Sequence, residues 1–318
     1  MKKILLIISL LLTTSLSGCS MNKPSACATN YPVYYLLQKI GGDYIDLCNL
    51  SSNDLIQVAQ PINDFSNKLS EVDVVFYISG LEPYFSTHED ELINSDAELV
   101  DLAKTSAIYD FQRSTTTIVN DQRVVVDSPY YEGENFSRID MYDKDAALWM
   151  DPNSMMSMAD TIRQYFVDHY PENKSVFEDN FSELKYDLAL LDAAYQNFKN
   201  ENHQISFVVM TPNFGTWQRS YGFGVYPIIL SRYGALPSDK QLAAIKERIQ
   251  KDGVRYIAHE ENLTLEMEAL FEQLETELEL KRINLYNISS ITAETVGSNK
   301  DYLSLMYENL AQLEAIGE

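Results

Sequence analysis

Cysteine is scarce: three in 318 residues, with no Cys-x-x-Cys pair. That excludes a zinc ribbon and a thioredoxin-type centre. Histidine is almost as scarce, and His88, His169, His203 and His259 stand alone, none with a second His at a metal-ligand spacing. No glycine-rich phosphate loop and no Gly-x-Ser-x-Gly elbow occurs. Single Ser, His and Asp residues form no local catalytic signature, so the chain reads as no enzyme. Basic residues are few, 24 Lys and Arg against 47 Asp and Glu, for a net charge of −23. A body this acidic repels phosphate backbones, which excludes nucleic acid as a partner. A solvated surface is the plainer reason for the acidity than cation binding. Long apolar runs are missing too. The one run that stands out, residues 4–12, is too short to cross a bilayer as a mature helix.

That run follows Lys2 and Lys3 and leads to Leu16-Ser17-Gly18-Cys19. The string resembles the bacterial lipoprotein box. The resemblance implies a signal peptide over 1–18, cleavage before Cys19, lipid on the Cys19 thiol and a tether over 19–25. The protein would then be anchored on the extracytoplasmic face of a bacterial membrane. The remaining 300 or so residues suffice for two domains with proper cores. Thirteen Phe and 21 Tyr supply large side chains to fill them.

The longest pattern runs over 171–200. Phe177, Phe181, Leu184, Leu188, Leu191, Tyr195 and Phe198 recur at steps of four and three, one apolar stripe on a 3.6-residue helix. On either side, short apolar strands alternate with helices. Before it, strands are expected at 26–29, 44–50, 73–78 and 98–102, with helices at 32–40, 62–69 and 81–93. After it, strands are expected at 205–210, 225–230, 254–258 and 282–285. Helices there cover 213–221, 238–251, 263–276 and 300–316. Ser238 and Gln241 fit a capping box, and Asp151 before Pro152 fits a helix start. Residues 115–119 and 123–127 around Asn120-Asp121 read as a β-hairpin, inside an insertion at about 106–143. Strand–helix alternation implies parallel sheets covered by helices, an α/β class. A spine that long between two such halves argues for two (β/α) lobes: 26–174, the linking helix 175–202, and 203–318. A long core helix of a single domain is the plainer alternative.

The order of motifs resembles the metal-binding class of ABC-transporter substrate-binding lipoproteins, which capture zinc or manganese outside the membrane. Thr29-Asn30-Tyr31-Pro32 and Lys39-Ile40-Gly41-Gly42-Asp43 look like its opening strand and helix. Gly80-Leu81-Glu82-Pro83 matches the segment after its third strand, and Leu148-Trp149-Met150-Asp151-Pro152 is similar to its Val-Trp-Leu-Asp-Pro. Tyr170-Pro171-Glu172-Asn173 with Asn180 fits the start of its linking helix, and Tyr302, Met306 and Asn309 fit its last helix. The resemblance implies two lobes on one rigid helix, metal in the cleft between them, and a monomer that delivers to a membrane ABC permease.

Four positions depart from that pattern. Where the family has its metal ligands, counting from neighbouring motifs gives Gln57, Ala147, Thr211 and Tyr286. Zinc takes imidazole, thiolate or carboxylate donors, and manganese favours imidazole and carboxylate. Gln and Thr offer neutral oxygens, Ala offers none, and a Tyr phenol with pKa about 10 stays protonated. No metal cofactor is therefore expected, although the family implies zinc or manganese. Glu260, at a strand end, is the nearest candidate for a replacement; its neighbour His259 should face the other way. Tyr31, Trp149 and Phe214 are candidate cleft residues that could wall a pocket for a small organic solute, or simply be core. Tyr286 is expected to turn its ring into the cleft. Three readings of function follow: a solute-binding lipoprotein degenerate in metal binding, a surface adhesin-like paralogue, and a receptor for an organic solute. In the fold the resemblance implies, Cys27 and Cys48 fall on neighbouring strands of an exported protein, a candidate disulfide.

Overall fold

The computed structural model describes residues 23–52, 54–109, 134–201 and 205–317, and the backbone of 114–119 and 122–127. The lipoprotein box at Cys19 and the hairpin tip at Asn120-Asp121 lie outside the described residues. Strands β1 (Ser25–Ala28), β2 (Asp46–Asn49), β3 (Val74–Tyr77) and β4 (Glu98–Asp101) form one parallel sheet, in the order β2-β1-β3-β4. Strands β5 (Ser114–Val119) and β6 (Gln122–Asp127) pair antiparallel as a separate hairpin. Strands β7 (Ser206–Val209), β8 (Gly224–Pro227), β9 (Tyr256–His259) and β10 (Lys281–Asn284) form a second parallel sheet, ordered β10-β9-β7-β8. Taken within each lobe, both orders are second-first-third-fourth. The two halves therefore share one topology without a visible sequence repeat.

The first lobe carries helices α1 (Tyr31–Gly41), α2 (Phe65–Glu71), α3 (Pro83–Thr87), α4 (Glu89–Ile93) and α5 (Pro152–His169). Helix α6 (Lys174–Asn200) is the spine. The second lobe carries α7 (Gly215–Tyr221), α8 (Asp239–Lys251), α9 (Leu265–Glu277), α10 (Ala293–Gly297) and α11 (Tyr302–Gly317). Local chemistry sets several ends. Asn30 caps α1 by accepting from Val33 N at 3.1 Å. Gly42, at φ +50°, closes α1 and returns its N–H to Gln38. Asp151 caps α5, and Ser238 with Gln241 forms the capping box of α8. The helix expected over 81–93 is instead two short ones, because His88, at φ −109° and ψ 17°, interrupts the run.

Helix α6 is about 40 Å long at 1.5 Å per residue. Of its stripe, Phe177, Leu184, Leu188, Leu191, Tyr195 and Phe198 are buried, and Phe181 is half-buried. Its first half serves the first lobe. Phe177 stacks on Phe166 of α5 at 5.2 Å, and Asn180 Nδ2 donates to Ile40 O at the end of α1, 2.9 Å. Its second half serves the other lobe. The Tyr195 ring stacks on Tyr221 at 4.8 Å, and its hydroxyl donates to Met306 O of α11 at 2.8 Å. The lobes also interlock directly. Leu55, on the loop after β2, is buried in the second lobe's core with Met210, Ile228 and Met267. No helix among the described residues is long and apolar enough to cross a membrane.

Cys27 and Cys48 are register partners on β1 and β2, with Cα atoms 4.5 Å apart, and are joined as a disulfide. Two stability predictions follow from this frame. Leu188→Ala should destabilise by about 2–5 kcal/mol in chemical denaturation, whereas Tyr186→Ala, on the exposed face of α6, should stay within about 0.5 kcal/mol. Equal effects would mean that the stripe does not carry the spine. Replacing Cys27 and Cys48 together by Ala removes a loop closure over a separation of 21 residues. The loss should be on the order of 3 kcal/mol, and an unchanged denaturation midpoint would contradict it.

Candidate functional site

The parallel strands of both lobes end towards each other, and the segments just beyond those ends bond across the seam. Glu260 follows β9 and is wholly buried. Its Oε1 accepts from Met210 N at 2.8 Å and Thr211 N at 3.0 Å. Its Oε2 accepts from Thr211 Oγ1 at 2.6 Å and Asn287 Nδ2 at 2.7 Å. Burial pushes this carboxyl upward in pKa, and the bonds from Thr211 and Asn287 pull the other way. A carboxylate buried without a cation needs such donors.

Asn287 extends the network. Its Nδ2 also donates to Asn262 Oδ1 at 2.7 Å, and its Oδ1 accepts from Ser289 N and Ser289 Oγ. Three bonds then cross to the first lobe: Ile56 N to Ser289 Oγ at 3.4 Å, Gln57 Nε2 to Asn213 Oδ1 at 2.8 Å, and Trp149 Nε1 to Asn287 O at 2.7 Å. Gln57 Oε1 and Asn213 Nδ2 are buried without a hydrogen-bond partner among the described residues. The pair thus offers one acceptor and one donor, a neutral pattern unlike a metal cage.

Thr211 therefore belongs to the Glu260 network, while Gln57 bonds across the seam to Asn213. Ala147 is buried beside Trp149 and presents only a methyl group. Burial pushes Asp145 up to about 7, against the pull of the Ala147 backbone and of Arg219. Its carboxyl lies against the place of a Cβ on Gly215, so a side chain at the start of α7 would force Asp145 to move.

Tyr286 overturns the expectation placed on it. Its backbone is clasped by Asn309, which accepts from Tyr286 N at 2.7 Å and donates to Tyr286 O at 2.9 Å. Its ring lies half-buried, with Lys300 Nζ 5.6 Å from the centroid and Glu308 nearby, on the side of α11 rather than the cleft. The cleft side chain of this segment is its neighbour Asn287, because successive residues of extended chain face opposite ways. The same alternation sends His259 outward to Glu268, at 2.9 Å, and Glu260 inward.

Trp149 and Phe214 are fully buried, and Phe214 packs edge-on against Trp217 at 5.1 Å, as core rather than pocket wall. Tyr31 packs towards Tyr35 and Asp301 at the start of α11; burial and Asp301 raise its hydroxyl pKa. Sequence reasoning missed Asn213, Asn262, Asn287 and Ser289. Their one signal is a run of short polar residues just past strand ends.

Glu82 closes the first lobe's side. It accepts from Thr29 Oγ1 and, at 2.7 Å, from Asn30 Nδ2, while its Oε2 has no partner among the described residues. Among those residues, no group of three or more His, Cys, Asp and Glu could hold a metal ion. The donor set does not fit zinc or manganese.

The family model for the periplasmic component A of the zinc-uptake complex matches residues 27–316. The chain belongs to this family. Family members are binding components of transport systems, and their place is extracytoplasmic and membrane-associated. The zinc-binding lipoprotein AdcA of Streptococcus pneumoniae serotype 4 is 24% identical over 320 residues, covering 99% of this chain and 61% of that protein. The chain thus spans about three-fifths of the length of the curated relatives it matches. The Zn(II)-bound ZnuA-like domain of S. pneumoniae AdcA shares the fold at a TM-score of 0.65 and 23% identity, covering 93% of this chain and 98% of the domain. The laminin-binding protein Lmb of Streptococcus agalactiae, titled a bifunctional protein with adhesin and metal transporting activity, gives a TM-score of 0.70 at 18% identity, covering 92% and 98%.

The buried carboxyl of Glu82 makes a pH prediction. Burial raises it to about 7 in the folded state, against 4.5 as its ordinary value. The native state then holds a proton that the unfolded chain has lost, so stability falls as pH rises from about 4.5 through 7. The loss is on the order of 3 kcal/mol. Glu82→Gln should flatten this part of the Tm-against-pH curve between pH 5 and 8. A variant curve parallel to the parent's would assign the slope elsewhere.

Proposed function

We propose that this chain is an extracytoplasmic solute-binding lipoprotein of a zinc- and manganese-type ABC transporter family that no longer captures either metal. One observation carries the reading: the cleft carboxylate, Glu260, is saturated by four protein donors where a cation would otherwise balance it. The positions that match the family's ligands hold Gln57, Ala147, Thr211 and Tyr286, none of which brings a charge or an imidazole. Support for the location comes from the family match and from the lipoprotein box at Cys19. By the family's logic the partner is a membrane ABC permease, the protein is a monomer held by lipid on Cys19, and it performs no catalysis. The segments 26–174, 175–202 and 203–318 serve as lobe, linking helix and lobe.

Metal analysis tests this directly. Protein purified without chelator should carry far less than one equivalent of zinc or manganese, and adding either should leave Tm unmoved. A ligand at 100 times its Kd adds about 2.7 kcal/mol of stability, a rise of several degrees in Tm. One tightly held equivalent that chelator removes, with a matching drop in Tm, would sink the proposal.

A further inference from the structure

Residues 134–142 end the first lobe's insertion, yet they lie on the second lobe. Phe136 is the anchor: it is 4% exposed and sits in the second lobe's core with Ile228 and Ile245. Among the described residues, Leu55 and Phe136 are the two buried members of that core that come from the first lobe. Ile139 and Met141 pack against it less deeply. Two backbone carbonyls tie the segment down on either side of the ring. Asn135 O accepts from Gln241 Nε2 at 2.6 Å, and Asp140 O accepts from Arg232 N at 2.9 Å. Gln241 is itself fixed, because its Oε1 accepts from Ser238 N in the capping box of α8. The Asp140 carboxylate adds an ion pair, 3.6 Å from Arg232 Nε. The segment returns to its own lobe at Tyr142, whose hydroxyl donates to Leu81 O at 3.2 Å.

Two features make this segment easier to release than the rest of the seam. It is thin: Glu134, Asn135, Ser137, Arg138 and Asp140 are exposed, so Phe136 is the one buried side chain before Tyr142. Its seat is also incompletely filled. A cavity of 190 Å³ lies beside Phe136 and Ile139, walled by Ile228, Leu230, Leu236 and Ile245. Atoms that face a void lose the dispersion contacts of a packed interior. Segments with few buried apolar contacts open at a lower free energy than the core. Leu55 differs, since its neighbours Ile56 and Gln57 are buried with it. Of the two interlocks, the outer one is the weaker.

We propose that residues 134–142 form a strap that must lift before the lobes part, so that the first lobe's insertion sets how often the seam opens. Lifting the strap exposes one ring and breaks two backbone bonds, and leaves both sheets intact. Parting the lobes with the strap in place would pull Phe136 and Leu55 out of the same core at once. The inference goes beyond the metal-free reading, because the strap acts whether the cleft takes a solute or none.

Hydrogen exchange of single protons, followed by NMR on the purified protein, tests it. Ile56 N–H and Trp149 Nε1–H donate across the seam and report its opening. Val75 N–H, in β3 inside the first lobe's sheet, reports general loss of stability. Phe136→Ala should raise exchange at Ile56 and Trp149 by about tenfold more than at Val75. If that variant folds poorly, Gln241→Glu takes its place. It keeps the oxygen that caps α8 and loses the donor to Asn135 O, and should give the same seam-specific rise at a smaller size. The proposal is overturned if the two seam protons gain no more than Val75. It is also overturned if Arg232 N–H, released from Asp140 O, exchanges faster while Ile56 and Trp149 do not.

Discussion

A carboxylate cannot be buried alone, and the seam between the lobes is built around that constraint. Glu260 is wholly enclosed, and no His, Cys or acidic cluster among the described residues shares its site with a cation. Two backbone N–H groups, a hydroxyl and an amide satisfy it instead. The consequences spread outward. Asn287 must present its Nδ2 to Glu260, so its Oδ1 is left for Ser289, and Ser289 Oγ is then placed to meet Ile56 N of the other lobe. Removing one donor would leave a buried charge short of a partner, which costs more than the donor's own bond contributes. The network is therefore close to all-or-none.

That has a mechanical side. Leu55 sits in the core of the lobe opposite its own, and Gln57 and Trp149 bond across the same seam. Opening the cleft would expose a buried leucine, worth about 1.5–3 kcal/mol in transfer alone, and would break three cross-lobe hydrogen bonds together. A metal held between lobes couples closure to loading. Here closure is held by side chains always present, so the closed form needs no cation to persist. The spine reinforces this, since one apolar stripe on α6 packs Phe177 against one lobe and Tyr195 against the other.

Much of the fold could be read from residue order because its causes are local and periodic. The stripe on α6, the Asp151 cap and the Ser238–Gln241 box each state their structure within a few residues. The seam is another matter. Gln57, Thr211 and Glu260 could be singled out, but Asn213, Asn262 and Asn287 carry no periodic signal, and their roles exist only where two lobes meet. Tyr286 shows how narrow the margin is. A one-residue difference in extended chain reverses a side chain's face, and only the clasp of Asn309 on the Tyr286 backbone fixes which residue turns inward. The break at His88 within the run 81–93 went unread for a similar reason: nothing in the apolar pattern marks one residue's departure from helical ψ.

The distribution of charge carries the argument furthest. In a cation-capturing cleft, uncompensated acid or imidazole belongs at the centre. Neither stands at the centre of this seam among the described residues. Its central carboxylate is compensated by hydrogen bonds, and its free amide atoms at Gln57 and Asn213 are uncharged. Loss of metal ligands alone accounts for both features. The family's frame is thus kept, while the centre of the seam leaves a cation no unpaired charge to balance.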